Sequence, residues 1–128
     1  MYFKNKKHEH RFAKAVIDNN VNLDNREMVA VIYLLTYSKK IWNRFKDHVS
    51  SDEIELWTYP QENDDLVDGA IQKAAYDLYY YSSIIGLCEL ADKDDVPEKA
   101  FNTILCAICF LRYGCCMEDV YDSEDAHE

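Results

Sequence analysis

Residues 28–35 read Met28-Val29-Ala30-Val31-Ile32-Tyr33-Leu34-Leu35, eight consecutive positions without a charge. Wound as a helix, they are apolar around most of the circumference. A folded domain tolerates that only when other helices surround the segment. The stretch is therefore predicted to be the central helix of an all-α domain. The residues before it carry a start signal: Asp24 is placed to accept from the backbone of the first turn while Glu27 reaches back, with Leu23 and Met28 flanking them as a hydrophobic staple. The helix is expected to begin close to Asn25.

Working outward, the chain holds only three glycines and two prolines in 128 residues, too few for the turns of a β-sandwich or barrel. Its length suits one core. The expected architecture is a single compact domain of about five helices over residues 1–116, followed by an acidic, mobile tail over 117–128. A first helix starts near Lys7, with Phe12, Ala15, Val16 and Asn19 or Asn20 on one face and Lys14 and Asp18 facing away. After Thr36 the pattern resumes with Ile41, Phe45 and Val49, giving a third helix whose outer face is basic through Lys39, Lys40, Arg44 and Lys46. Residues 50–63 form a connection with a short extended piece at Ile54, Leu56 and Thr58. A fourth helix runs from about Asp64 through Leu78, and a fifth from Pro97 to Tyr113, where Gly114 suits a left-handed cap.

The net charge of −10 is unevenly spread. Residues 1–48 carry ten Lys and Arg against five Asp and Glu, whereas residues 49–128 carry four against nineteen. Such an acidic surface repels nucleic acid and attracts basic proteins, so direct nucleic-acid binding is disfavoured except through the basic third helix. No run reaches the roughly 18 apolar residues of a membrane span, and the basic start lacks the apolar core of a secretory signal. A cytoplasmic protein with reduced thiols is expected.

Motifs for chemistry are few. Cys106 and Cys109 share a helix face at i, i+3, and Cys115 and Cys116 follow Gly114, so four thiolates suiting zinc are conceivable. Burial as small apolar side chains is the favoured reading of Cys106 and Cys109, with Cys115 and Cys116 as exposed thiols. The alternative remains a zinc- or thiol-dependent module. His8 and His10 lie about 200° apart on a helix and are expected at the surface. No Walker loop, dinucleotide fingerprint or nucleophile elbow occurs, and the Glu-x-x-Glu pair that helps hold magnesium in all-α pyrophosphohydrolases is missing. A non-enzymatic protein without a cofactor is the expectation. The ten tyrosines are better suited to contact surfaces, since Tyr79, Tyr80 and Tyr81 cannot all face one core.

The run Phe3-x-Asn5-x-x-His8-x-x-Arg11-Phe12, then Asn25-Arg26-Glu27, Tyr33-Leu34-Leu35 and Ala75-Tyr76-Asp77-Leu78-Tyr79, resembles a family of small uncharacterised helical proteins from phages, prophages and mobile elements of Gram-positive bacteria. The cysteine cluster and the acidic tail depart from that pattern. The resemblance implies an inhibitor, of the anti-CRISPR or another anti-defence type, that occupies a basic nucleic-acid-binding site on a host protein in the host cytoplasm. The side chains expected to carry this role are Asp64, Asp65, Asp68, Asp92, Asp94, Asp95, Glu118 and Asp119 in place of phosphates, with Tyr79, Tyr80 and Tyr81 as anchors. A homodimer through the aromatic surface is a further expectation.

Overall fold

Asn25, rather than Asp24, starts the central helix. In the computed structural model, which describes residues 1–58 and 65–115, the Asn25 side chain accepts from the Met28 amide at 3.2 Å, and α2 runs Arg26–Leu35. Glu27 does not reach back to the cap. Its carboxylate instead accepts from the Tyr81 hydroxyl at 2.7 Å, and Leu23 is 65% exposed, so the staple does not form. The main expectation holds: every side chain from Met28 to Leu35 is buried.

Burying that many apolar positions requires neighbours on all sides. They are α1 (Lys6–Asp18), α3 (Lys39–Phe45), α4 (Leu66–Tyr80) and α6 (Glu98–Tyr113), each packed on α2, with α4 and α6 also in contact with one another. A five-residue α5 (Leu87–Ala91) and a 3-10 turn (Lys46–His48) complete the elements among the described residues. The fold is all-α and the domain single. Ile41, Phe45, Ile71, Ala100 and Ile104 close the core around α2. A fully buried side chain of the larger kind contributes about 1.5–3 kcal/mol relative to exposure. No helix among the described residues is long and apolar enough to cross a membrane.

Contacts at the helix ends set the directions. The Glu27 bond to Tyr81, and the Arg26 guanidinium beside the Arg112 carbonyl, put the start of α2 next to the ends of α4 and α6. Both long neighbours therefore run antiparallel to α2, an arrangement in which helix dipoles attract.

The third helix is shorter than its apolar spacing suggests. Ser38 caps it by accepting from the Ile41 amide at 3.1 Å, and it ends at Phe45. Val49 sits instead on extended backbone, in an isolated antiparallel bridge with Ile54, which is the expected extended piece. The expected helix start at Asp64 lies outside the described residues. The observed cap of α4 is Asp65, which accepts from the Asp68 amide at 2.7 Å. The acidic tail, with Cys116, Glu118 and Asp119, also lies outside the described residues.

Gly114 caps α6 as expected, with φ of +78° and its amide donating to the Phe110 carbonyl at 2.7 Å. A Cβ at this position would stand 2.8 Å from an Arg26 guanidinium nitrogen. Gly114→Ala therefore combines left-handed backbone strain with a displaced arginine, and is expected to lower stability by about 1–2 kcal/mol. Urea denaturation checks this. The midpoint should move down with no change in the slope.

Candidate functional site

The acidic residues singled out by the sequence fall into two environments. Asp65 and Asp94 come together across a shallow groove of about 630 Å³ that Leu66, Val67, Gly69, Ala70 and Pro97 also line. Lys73 and Glu89 form an ion pair at 3.0 Å in the same groove, which neutralises its single lysine. Asp92 folds the approach to α6: its carboxylate accepts from the Asp94 amide at 2.9 Å and its carbonyl from the amides of Asp95 and Val96. Asp92 and Asp94 are exposed and Asp95 is half-buried. Asp68 departs from the expected acidic surface, being only 8% exposed. Burial, and then Asp65, push its carboxyl pKa up, while a hydrogen bond from Ser38 and the charge of Lys40 pull the other way.

Rising about 1.5 Å per residue, α4 carries the tyrosines to the opposite end of the groove's helix. There the triplet divides. The Tyr79 hydroxyl accepts from the Ile54 amide at 3.0 Å and the Tyr80 hydroxyl from the Leu56 amide at 3.1 Å, so both rings pin the connection after α3. Tyr81 is the most open of the three, 81% exposed against 42% for Tyr80, with a left-handed φ of +56°. Its hydroxyl donates to Glu27, and that bond and the carboxylate's charge raise its pKa.

Asp77 turns the chain after Tyr81. Only 9% exposed, it accepts from the Ser82 hydroxyl and from the amides of Ile84 at 2.9 Å and Ile85 at 2.8 Å. The segment then returns along α4 to Pro97 beside Asp65, exposing Ile84 and Leu87 on the way. Leu87 at 85% and Leu66 at 67% exposure are large apolar side chains open to solvent, Leu66 in the groove with Asp65 and Asp94.

The cysteines separate. Cys106 is buried in the core, Cys109 and Cys115 are half-buried, and Cys88 is the exposed thiol among the described residues. Cys115 is thus less open than expected. Among the described residues no group of three or more His, Cys, Asp or Glu side chains is placed to hold a metal ion, and Cys116 lies outside them.

Sequence reasoning missed His8. Expected at the surface, it is fully buried between Phe3, Tyr33 and Tyr37, with ring centroids 5.0, 5.1 and 5.8 Å away. The Lys4 amide donates to Nδ1 at 3.3 Å, so Nε2 carries the proton and donates to the Tyr33 carbonyl at 3.0 Å. Burial, helped by the charges of Lys4 and Arg11, lowers its pKa to about 4. A signal existed, since His8, Phe12 and Ala15 follow i, i+4, i+7 spacing on the buried face. The Tyr33 hydroxyl donates in turn to the Tyr2 carbonyl, and Lys4 Nζ lies 3.9 Å from the centre of the Tyr37 ring, so the first residues are tied to the end of α2.

The basic residues of the third helix also divide. Arg44 donates to Gln72 on α4, whose amide donates to the Trp57 carbonyl, and Lys40 acts on Asp68. Lys39 and Lys46 turn the other way, towards α1. No protein-family model, curated protein or solved structure matches the chain.

Proposed function

We propose that this chain is a non-enzymatic interaction module that binds a basic, nucleic-acid-binding surface of a host protein, as a phage or mobile-element inhibitor of the anti-CRISPR or another anti-defence type would in a bacterial cytoplasm. The observation that supports the reading is the strip beside α4. Exposed Leu66, Ile84, Leu87 and Tyr81 lie along a segment that also carries Asp65, Asp92 and Asp94. Apolar side chains rimmed mainly by carboxylates are the composition of a contact surface, with the carboxylates steering a basic partner and the apolar groups holding it. Tyr81 and Leu87 replace the full tyrosine triplet as anchors, because Tyr79 and Tyr80 hold the fold. A homodimer through the same strip would bring like charges together and is the less favoured use of it.

The test is capture from host lysate by the immobilised chain, followed by mass spectrometry, in parallel with a chain carrying Asp65→Asn, Asp92→Asn and Asp94→Asn. The expected result is a nucleic-acid-binding protein retained at low salt, released as ionic strength rises past physiological, displaced by its own nucleic acid and lost with the triple variant. Retention that ignores both salt and the three substitutions would sink the reading, as would recovery of no partner.

A further inference from the structure

We propose that the cleft between α1 and α3 is a binding site for a small phosphorylated aromatic ligand of the nucleotide class, with the phosphates on Lys14, Lys39 and Lys46 and the ring against Trp42. The proposal is independent of the acidic strip. Helical spacing assembles the cleft: Lys39, Trp42 and Lys46 follow i, i+3, i+7 on one face of the third helix and its 3-10 extension, opposite Arg11 and Lys14 one turn apart on α1. Ala15, 2% exposed, lies between them, and its small side chain leaves room. The space is about 490 Å³. That falls within the ~300–1,000 Å³ usual for small-molecule sites.

Charge makes the cleft unusual in this chain. Arg11, Lys14, Lys39 and Lys46 face Asp18 and Asp47, an excess of two positive charges in a protein of net charge −10. Although two carboxylates line the same space, Lys14, Lys39 and Lys46 form no ion pair among the described residues. Arg11 is held in place: its Nε donates to the Thr36 carbonyl at 2.9 Å and a terminal nitrogen to the Tyr37 carbonyl at 3.0 Å. A fixed guanidinium beside three exposed ammonium groups favours an anion, since the excess of positive charge over Asp18 and Asp47 is relieved when one arrives. Trp42, half-buried between Lys39 and Lys46, supplies an indole wall on which a planar ring stacks and a cation-rich rim that suits its phosphates. A long polyanion is less suited. Asp18 and Asp47 stand in the cleft, and the acidic remainder of the surface repels an extended strand.

The full chain is titrated with ATP, AMP, adenosine, inorganic phosphate and a single-stranded oligonucleotide. Binding is followed by calorimetry on the unaltered protein and by tryptophan fluorescence in a Trp57→Phe chain, where Trp42 is the remaining indole. The expected order of affinity is ATP, then AMP, then phosphate or adenosine alone. Lys39→Ala and Lys46→Ala should each weaken ATP binding about tenfold or more, with the urea midpoint unchanged. Trp42→Phe should narrow the gap between AMP and phosphate. Absence of saturable ATP binding at millimolar concentration overturns the proposal. So does ATP binding indifferent to both lysine substitutions, or oligonucleotide binding that exceeds ATP at equal phosphate concentration.

Discussion

Between pH 7 and pH 4 the unfolding free energy is expected to fall by about 3 kcal/mol through His8 alone. In the unfolded chain this histidine takes up a proton near its ordinary pKa of 6.5, but in the fold only near about 4. Across that interval the unfolded state binds more protons, so acid favours it. The contribution is fully present above pH 6.5 and is lost as pH falls towards 4. The cause is geometric as well as dielectric. Nδ1 already accepts from the Lys4 amide, and protonating it would set two donors against each other inside a ring of Phe3, Tyr33 and Tyr37. Asp68 works in the opposite direction, because its pKa is raised in the fold: what it contributes is present in acid and lost as pH rises through that raised value. Urea titrations at half-unit steps, on the natural chain and on His8→Gln, separate the two. Glutamine keeps a donor and an acceptor but has no proton to gain. The natural chain should lose stability steeply below pH 6.5, and the variant should not. Parallel profiles would show that His8 does not carry the effect. A domain stable by only ~5–15 kcal/mol in total would feel such a loss.

Asp77→Ala is expected to cost about 3 kcal/mol, and its loss should be local as well as global. One carboxylate holds the Ser82 hydroxyl and the amides of Ile84 and Ile85, and it is itself 9% exposed. Hydrogen bonds to a charged acceptor are worth about 1.5–3 kcal/mol each, and the amides left behind by alanine would regain part of that from water as the segment lifts. Hydrogen exchange should therefore show the amides of residues 84 and 85 losing protection first, while those of α2 follow only the lowered global stability. Asp77→Asn, which keeps one acceptor oxygen, should fall between. Unchanged exchange at 84 and 85 in the alanine variant would mean that the turn is held by packing of Ile85 and Leu90 rather than by the carboxylate. Because Ile84, Leu87 and Asp92 ride on this segment, partner capture should weaken along with the turn.

What the sequence revealed, and what it hid, divides by range. The central helix was legible in Met28–Leu35 because an apolar run of that length has few places to go, and Gly114 was legible because left-handed caps select glycine. The start of α2 was misplaced by one residue, since Asp24 and Asn25 are both good caps and only the surrounding packing decides between them. Val49 followed the helical spacing of Ile41 and Phe45, yet its pairing with Ile54 drew it into extended backbone. The five residues of α5 carry too short a pattern to register. His8 was hidden by its neighbours: a run of Lys, Glu and His looks like solvent-facing helix, and the partner that buries it, Tyr33, is 25 residues away. The tyrosine triplet was recognised as unable to share one core, but its division between Tyr79 and Tyr80 as clamps and Tyr81 as an open ring depends on a connection that sequence does not place. The acidic groove likewise needed the fold, because Asp65 and Asp94 meet only when the segment after α4 doubles back.

The position of α2 along the chain also sets an order of events during synthesis. α2 is complete at Leu35, but α6, which covers one side of it, ends at Tyr113. At ~5–20 residues per second the nascent chain carries its most apolar helix incompletely covered for roughly 4–16 s. Only α1 and the short third helix are made in time to shield it early. Translation speed through α4 and α6, and a chaperone able to hold an apolar helix, are therefore the quantities that govern how much of this chain reaches its native state.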